Sequence, residues 1–133
     1  MKTNPVVYLV DDDDIYHSIT SMLLARLSRQ VHFRGFSQGR AAMEQLELDK
    51  NDPDSLPDLI LLDINMPIMN GWEFLAEFSQ VFEGLSKKPK ISMMSSSSLE
   101  EDINRALEDR NVMEFVTKPI TMEKLEGLTS ELS

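Results

Sequence analysis

Two apolar runs that each end in aspartate place the strongest constraint on how this chain can fold. Residues 6–10 are followed by the four aspartates 11–14, and residues 59–62 are followed by Asp63. Runs that are apolar on both faces suit the strands of a parallel sheet, because helices cover both of its sides. If the two strands are neighbours, their carboxylates meet at the edge where open α/β sheets bind ligands. Carboxylates crowded in this way repel one another unless a hard cation such as Mg²⁺ joins them, so the pattern predicts a metal site with a candidate acceptor aspartate.

Strand-like and helix-like segments alternate five times along the chain. Besides the two runs above, strands are predicted at about 31–34, 90–94 and 114–117. A (βα)5 series with right-handed crossovers predicts a three-layer α/β sandwich around a parallel five-stranded sheet. In the flavodoxin-like strand order 2-1-3-4-5, the first and third strands are neighbours. Ser95 and Lys118 then reach the same edge of the sheet as the aspartates, from strands four and five.

Apolar repeats and capping residues predict the helices. The residues that mark them are, in chain order, Ile15, Ile19, Leu23 and Leu27; Ala41 to Met43 and Leu46; Trp72, Leu75, Phe78 and Phe82; Leu99, Ile103 and Leu107; and Met122, Leu125, Leu128 and Leu132. The predicted N-caps are Asp13 or Asp14 for the first helix, Ser97 or Ser98 for the fourth and Thr121 for the last. In the fourth strand polar residues alternate with apolar ones, which predicts one partly solvent-exposed face. Residues 49–57 are polar, contain two prolines and predict a loop.

Composition excludes several classes of protein. The formal net charge of −10 argues against nucleic-acid binding, because phosphate contacts need clustered Lys and Arg. No apolar stretch approaches the roughly 20 residues needed to cross a bilayer, and the absence of cysteine excludes disulfides and thiol catalysis. A length of 133 residues fits one domain, so we expect a single domain over residues 1–133, located in the cytoplasm.

The aspartates also have simpler interpretations. The run 11–14 alone is also what a solvated charge run and helix cap look like, and Asp63 alone could end a strand. An EF-hand loop is excluded, because its sixth and twelfth positions, which require glycine and glutamate, hold Tyr16 and Met22. His17 and His32 show no ligand-like spacing and are interpreted as incidental.

Taken in order, these motifs resemble the receiver domains of bacterial two-component response regulators. The most specific segment is residues 61–71, with Asp63 and the turn Asn65-Met66-Pro67. The acidic pair after strand one, the hydroxyl residue after strand four and Lys118-Pro119 after strand five complete the set. The resemblance covers essentially the whole chain and implies a stand-alone receiver without an output domain.

The resemblance implies a phosphoacceptor surrounded by metal ligands. Asp63 matches the aspartate that is phosphorylated, and it also contacts the metal. Asp12 matches the direct Mg²⁺ ligand, and Asp11 matches the acid that orients metal-bound water. Asn65 matches the residue whose backbone carbonyl completes the coordination, and its side chain influences attack of water on the acyl phosphate.

The remaining matched residues contact the phosphoryl group or report its presence. Lys118 matches the lysine that binds the phosphoryl group. Ser95 matches the residue that carries the switch hydroxyl, and Ser96 matches its neighbour, whose backbone N–H also contacts the phosphate. Phe115 matches the switch aromatic, which without a hydroxyl must act by packing alone. Ser96 is an alternative for the switch position, since residues 89–95 contain one residue more than is usual. The Lys118-Pro119 bond is expected to be cis by analogy.

The function that the resemblance implies is a phosphorylation-controlled protein-interaction switch. Asp63 would take a phosphoryl group from a sensor histidine kinase or a histidine phosphotransfer protein, and the changed surface would bind a downstream protein target. The only catalysis expected is self-phosphorylation and self-dephosphorylation, in a monomer or a weak homodimer.

Two alternatives stay open on sequence alone. A pseudo-receiver would bind partners without phosphorylation. A Mg²⁺-dependent phosphohydrolase of the haloacid dehalogenase type would need an Asp-x-Asp pair after its first strand. Asp11 and Asp13 meet that spacing, but Ile15 stands where that class normally has threonine.

Overall fold

A computed structural model describes residues 4–96 and 99–132 as five strands that alternate with five helices. The strands are β1 (Val6–Val10), β2 (His32–Phe36), β3 (Leu59–Asp63), β4 (Lys90–Ser95) and β5 (Val112–Thr117). The helices are α1 (Asp14–Ala25), α2 (Gly39–Asp49), α3 (Gly71–Val81), α4 (Glu100–Glu108) and α5 (Met122–Ser130). Within the described ranges, no helix is long and apolar enough to cross a membrane.

The strands form one parallel sheet in the order β2-β1-β3-β4-β5, which confirms the predicted topology. Buried side chains of α2, α3 and α4 pack on one face of the sheet, and those of α1 and α5 pack on the other. The fold is therefore the predicted three-layer sandwich. Every residue of β3 is buried, as expected for a central strand that is covered on both faces.

Strand β4 corrects one prediction, because its polar residues do not create a partly exposed face. Residues 91–95 are all buried, and only Lys90 is exposed. The strand lies between β3 and β5, so helices cover both of its sides. The Ser92 hydroxyl is accommodated by donating to the Glu114 carbonyl at 3.4 Å.

Helix α1 forms where it was predicted, but the repeat that marked it is not its buried face. Ile15 and Ile19 are 72% and 41% exposed, and the residues buried against the sheet are Tyr16, Thr20 and Leu24. The two stripes lie side by side on the helix, and both recur every fourth residue, so periodicity cannot tell them apart. Asp13 is the N-cap, as predicted, and its carboxylate accepts from the amides of Ile15 and Tyr16.

Helix α4 is also packed less deeply than its repeat predicted. Leu99 and Leu107 are 62% and 57% exposed, and Ala106 is the one buried residue of the helix. Its N-cap is Leu99, without a side-chain bond, and the predicted caps Ser97 and Ser98 lie outside the described residues. The cap predicted for α5 is confirmed, because the Lys124 amide donates to Thr121 Oγ1 at 3.1 Å.

Candidate functional site

The last residue of β3, Asp63, is the centre of the candidate site. The residue is buried, with 4% of its surface exposed. Its Oδ1 accepts a hydrogen bond from the Asn65 amide at 3.3 Å. The start of α3 lies directly behind it, since a Cβ at Gly71 would be 2.8 Å from the Asp63 carbonyl oxygen. Asp63 is therefore held between the β3–α3 turn and the sheet, with its carboxylate at the carboxyl edge.

The end of β1 brings two more carboxylates to this place. Val10 pairs with Leu62 in the parallel register, so Asp11 and Asp63 follow at neighbouring strand ends. Asp11 is fully buried, and its Oδ1 accepts from the Asp13 amide at 2.9 Å, whereas Asp12 is exposed. Asp11, Asp12 and Asp63 each offer a carboxylate oxygen, and these oxygens lie within 4.8 Å of one another. The sequence prediction that these acids meet is thus confirmed in geometry.

The side chain of Lys118 reaches the acids from the end of β5. Its Nζ lies 2.6 Å from Asp11 Oδ2 and 3.4 Å from Asp63 Oδ1. Its backbone amide donates to the Ser95 carbonyl at 2.9 Å. The Lys118–Pro119 peptide is cis, as the resemblance implied.

Burial and the neighbouring charges shift the pKa values of Asp63 and Lys118. Burial, followed by repulsion from Asp11, raises the pKa of Asp63 to about 6, although Lys118 acts in the opposite direction. Burial lowers the pKa of Lys118, but the bonds and charges of Asp11 and Asp63 outweigh it and leave this pKa above its ordinary value. The two carboxylates thus share one ammonium, which does not fully offset their mutual repulsion.

The donor set fits a hard divalent cation. Asp11, Asp12 and Asp63 present only oxygen atoms, and neither sulfur nor imidazole belongs to the group. Oxygen-only sites suit Mg²⁺ or Ca²⁺ rather than softer metals, and Mg²⁺ commonly takes one or two carboxylates and keeps water in other positions. The exposed carboxylate of Asp12 leaves one side of the cluster open to solvent.

The residues assigned to switching lie at the predicted edge. Ser95 is the last residue of β4, is fully buried and pairs in register with Thr117, next to Lys118. Ser96 follows it and is exposed, so of these two serines it is Ser95 that is buried beside the end of β5 that carries Lys118. Phe115 lies on β5, half-buried, and packs against the cluster on the α2–α3 side of the sheet. Asn65 is exposed in the turn after Asp63.

Two residues of α1 that sequence reasoning did not select also touch this site. The His17 ring contacts the Asp11 carbonyl oxygen through Nε2 at 2.7 Å, although the sequence suggested an incidental histidine. It lies against β2, where a Cβ at Gly35 would be 2.4 Å from His17 Nδ1. The other residue is Tyr16, whose ring centroid is 4.8 Å from Lys118 Nζ. No spacing rule pairs a helix residue with a lysine 102 positions later, so the sequence carried no signal for these contacts.

Comparison with known proteins agrees with this fold. The family model described as "Response regulator receiver domain" matches residues 7–129. The probable methanogenesis regulatory protein FilR2 of Methanothrix harundinacea is 29% identical over 133 residues, which cover 97% of this chain and 82% of that protein. The chain spans about half the length of other curated regulators that it matches.

Solved structures give the same result. A two component response regulator from Cytophaga hutchinsonii superposes with a TM-score of 0.87 at 30% identity, covering 98% of this chain and 97% of that chain. The Mn(2+)-bound form of response regulator Rcp1 superposes with a TM-score of 0.71 at 26% identity, covering 94% and 88%. With the fold, the acidic edge and the family model in agreement, the chain belongs to the response regulator receiver domain family of two-component systems.

Proposed function

We propose that this protein is a phosphoacceptor switch that takes a phosphoryl group onto Asp63 and thereby changes the surface it offers to another protein. The observation that carries the proposal is the convergence of the Asp11, Asp12 and Asp63 carboxylates within 4.8 Å, with Lys118 Nζ bonded between two of them. An acceptor carboxylate, a cation site and a fixed ammonium are the groups that phosphoryl transfer to aspartate needs.

The transfer step requires little of the protein beyond placement and charge. A carboxylate oxygen of Asp63 forms a bond to phosphorus while the P–N bond of a phosphohistidine donor breaks, and the electron pair returns to the imidazole nitrogen. The product is an acyl phosphate on Asp63. Because the transition state spreads charge over the phosphoryl oxygens, groups that neutralise those oxygens account for most of the catalysis.

The proposed ligands of Mg²⁺ are the carboxylates of Asp11, Asp12 and Asp63 and the backbone carbonyl of Asn65. When bound, Mg²⁺ neutralises the crowded carboxylates and a phosphoryl oxygen. The match to the Mn(2+)-bound form of Rcp1 supports a divalent cation here. Lys118 is proposed to bind a second phosphoryl oxygen. The Ser95 hydroxyl and the Ser96 amide are proposed to donate to a third.

The proposed output follows from Ser95 and Phe115. Movement of the Ser95 hydroxyl toward the phosphoryl group leaves space that the half-buried Phe115 ring fills, which changes the surface of α4, β5 and α5. Phosphorylation then shifts the populations of two arrangements. Helix α4 suits this role because only Ala106 anchors it in the core, so displacing the helix exposes little new apolar surface.

The donor is proposed to be a sensor histidine kinase or a histidine phosphotransfer protein that docks beside the acids. Ile15, Ile19 and Met22 form an exposed row on α1, here named the α1 stripe, with exposures of 72%, 41% and 54%. Ile68 in the β3–α3 turn is 86% exposed. Apolar side chains exposed next to a reactive site are typical of a surface that a partner covers.

We further propose a cytoplasmic setting and a protein rather than nucleic-acid target, in a monomer or a weak homodimer. The net charge of −10 supports a protein target, because it opposes contact with phosphate backbones. The phosphohydrolase alternative is disfavoured by the capping bonds of Asp13, whose carboxylate is engaged with the first turn of α1.

Intact mass spectrometry tests the proposal. The wild-type protein, Asp63→Asn and the matched control Asp14→Asn are incubated with acetyl phosphate, with and without Mg²⁺. We expect one Mg²⁺-dependent phosphoryl adduct on the wild-type protein and on Asp14→Asn, and none on Asp63→Asn. No adduct on the wild-type protein, together with no binding of beryllofluoride, would favour the pseudo-receiver. An adduct that survives in Asp63→Asn would show that another residue is the acceptor.

A further inference from the structure

The hydroxyl of Tyr16 joins three separate segments inside the fold. Tyr16 lies in the first turn of α1 and is 5% exposed. Its oxygen accepts from the Ile120 amide at 3.2 Å and donates to Met94 Sδ at 3.5 Å. Both hydrogen-bonding capacities of this buried hydroxyl are therefore used, one of them by the backbone two residues after Lys118.

The ring of the same tyrosine lies against the ammonium of Lys118. The distance from Lys118 Nζ to the ring centroid is 4.8 Å, within the range of a cation–π contact. The same ammonium is bonded to Asp11 Oδ2 at 2.6 Å and to Asp63 Oδ1 at 3.4 Å. The charge is thus in contact with both carboxylates and an aromatic face.

These contacts fix the segment around Lys118 at both of its ends. The Lys118 amide donates to the Ser95 carbonyl at 2.9 Å, and the Ile120 amide donates to Tyr16. A lysine side chain is long and flexible, and holding it in one geometry costs rotamer entropy. Tyr16 restricts both the backbone near Lys118 and its ammonium. The lysine side chain therefore loses less conformational entropy during phosphoryl transfer.

We propose that Tyr16 is a positioning residue for phosphoryl transfer, which acts by holding Lys118 at the place where the phosphoryl oxygen must be neutralised. The inference rests on the proposed function and assigns a further residue to the same reaction. The Tyr16 side chain contacts Lys118, Ile120 and Met94. Of these three residues only Lys118 is proposed to contact the phosphoryl group, so the effect of Tyr16 on the rate is assigned to Lys118. A tyrosine that only filled the core would alter stability and leave the rate per folded molecule unchanged.

The first test compares Tyr16→Phe, Tyr16→Leu and the matched control Tyr8→Phe. Tyr8 is 2% exposed and lies on β1, against Phe36 rather than Lys118, so Tyr8→Phe removes a buried hydroxyl away from the site. Initial rates of Asp63 phosphorylation by acetyl phosphate are measured at saturating Mg²⁺. We expect a loss of about threefold for Tyr16→Phe, which loses the hydrogen bonds to Ile120 and Met94 but keeps the ring. We expect a loss of about tenfold or more for Tyr16→Leu, which also loses the ring, and a wild-type rate for Tyr8→Phe.

A double-variant cycle with Lys118→Met separates positioning from packing. In the Lys118→Met background the lysine is gone, so adding Tyr16→Phe or Tyr16→Leu should produce no further loss of rate. A Tyr16 effect that persists undiminished without the lysine would overturn the proposal. Wild-type rates for both Tyr16 variants would do the same. Circular dichroism confirms that each variant is folded, and Tyr16→Phe carries the test should Tyr16→Leu fail to fold.

Proton NMR of the Lys118 side chain gives a readout that needs no phosphorylation. A ring 4.8 Å from Nζ shifts the nearby Lys118 signals upfield. We expect the shift to remain in Tyr16→Phe and to disappear in Tyr16→Leu. The shift could disappear in Tyr16→Leu while the wild-type protein is not phosphorylated. That result would refute the proposed function but confirm the contact between Tyr16 and Lys118. An unchanged spectrum in Tyr16→Leu would refute the contact itself.

Discussion

The ammonium of Lys118 is bonded most closely to Asp11, at 2.6 Å, and lies farther from the proposed acceptor Asp63, at 3.4 Å. Asp11 thus competes with Asp63 for the one cation in the described part of the site, and it adds a repelling charge beside the acceptor. Burial, and after it this repulsion, raise the pKa of the Asp63 carboxyl above that of an ordinary aspartate. The first two predictions follow from this relationship.

In the absence of Mg²⁺, Asp63 should titrate with a pKa of about 6. Asp11→Asn should lower this pKa, because it removes the like charge and releases Lys118 to Asp63. Lys118→Met should raise it, because the remaining carboxylates then repel each other without a counter-charge. A carbon-13 NMR titration of the Asp63 carboxyl measures all three values. A pKa near 4 in the wild-type protein would contradict the charge arrangement described here.

Asp63 should make the metal-free protein less stable as pH rises from about 4 to about 6. Its pKa is higher in the folded state than its model value of 3.8, so in this window the folded state binds more protons than the unfolded state. The free energy of unfolding should therefore fall by about 1 to 2 kcal/mol. Asp63→Asn should lack this decrease and be the more stable protein at pH 7. Urea unfolding at the two pH values measures this free energy. The control is Glu83→Gln at an exposed position, and it should show the same pH dependence as the wild-type protein.

Gly71→Ala should destabilise the fold by about 1 to 3 kcal/mol, because an added Cβ overpacks a closed space. That Cβ would lie 2.8 Å from the Asp63 carbonyl oxygen and 2.9 Å from both Ile64 Cα and Met93 Cε. The matched control is Gly127→Ala in α5, where a Cβ meets nothing within 4 Å. The control should be neutral or stabilising, because alanine favours a helix more than glycine. Thermal unfolding compares them, and equal melting temperatures would contradict the close approach at Gly71.

The α1 stripe should matter for a protein donor and not for a small one. The double variant Ile15→Ser with Ile19→Ser should slow phosphotransfer from a phosphorylated histidine phosphotransfer domain by about tenfold, because it removes exposed apolar contacts. Its rate with acetyl phosphate should equal that of the wild-type protein. Leu48→Ser, at a position on α2 that is 80% exposed, is the control and should change neither rate. An equal loss of rate with both donors would show that the substitutions impair the phosphoryl-transfer step itself and not the docking of the protein donor.

The single tryptophan should report movement of α4. Arg105 of α4 lies over the Trp72 ring of α3, with its guanidinium carbon 4.2 Å from the ring centroid. Binding of beryllofluoride with Mg²⁺ should change the tryptophan fluorescence when α4 shifts and this contact is lost. Arg105→Ala should remove most of that change, because the contact is then absent in both states. An unaltered response in Arg105→Ala would show that the signal comes from elsewhere.

The buried strands that lead to the acidic edge were predictable from the sequence for one physical reason. Buried parallel strands are apolar on both faces, so Val6 to Val10 and Leu59 to Leu62 stand out from the rest of the chain. Once their order is known, the topology alone brings Asp11, Asp63 and Lys118 to one edge. The edges of the sheet were less clear, and the predicted bounds missed two residues at the end of β2 and two at the start of β5.

The orientation of the helices was not predictable in the same way. On α1 the exposed row that contains Ile15 and the buried row that contains Tyr16 are both spaced like a helix face. Which one turns inward depends on bonds to Met94 and Ile120, which lie far away in the sequence. The roles of Tyr16 and His17 were missed for the same reason.

The sheet separates the α1 stripe, where the donor is proposed to dock, from helix α4, which is part of the proposed output surface. One flat partner cannot cover both the α1 stripe and the exposed leucines of α4. A target that binds through α4 alone would therefore leave the α1 stripe accessible to a donor. Residues on either helix can then change without altering the acids between them, so a lineage of such proteins can exchange its input and its output independently.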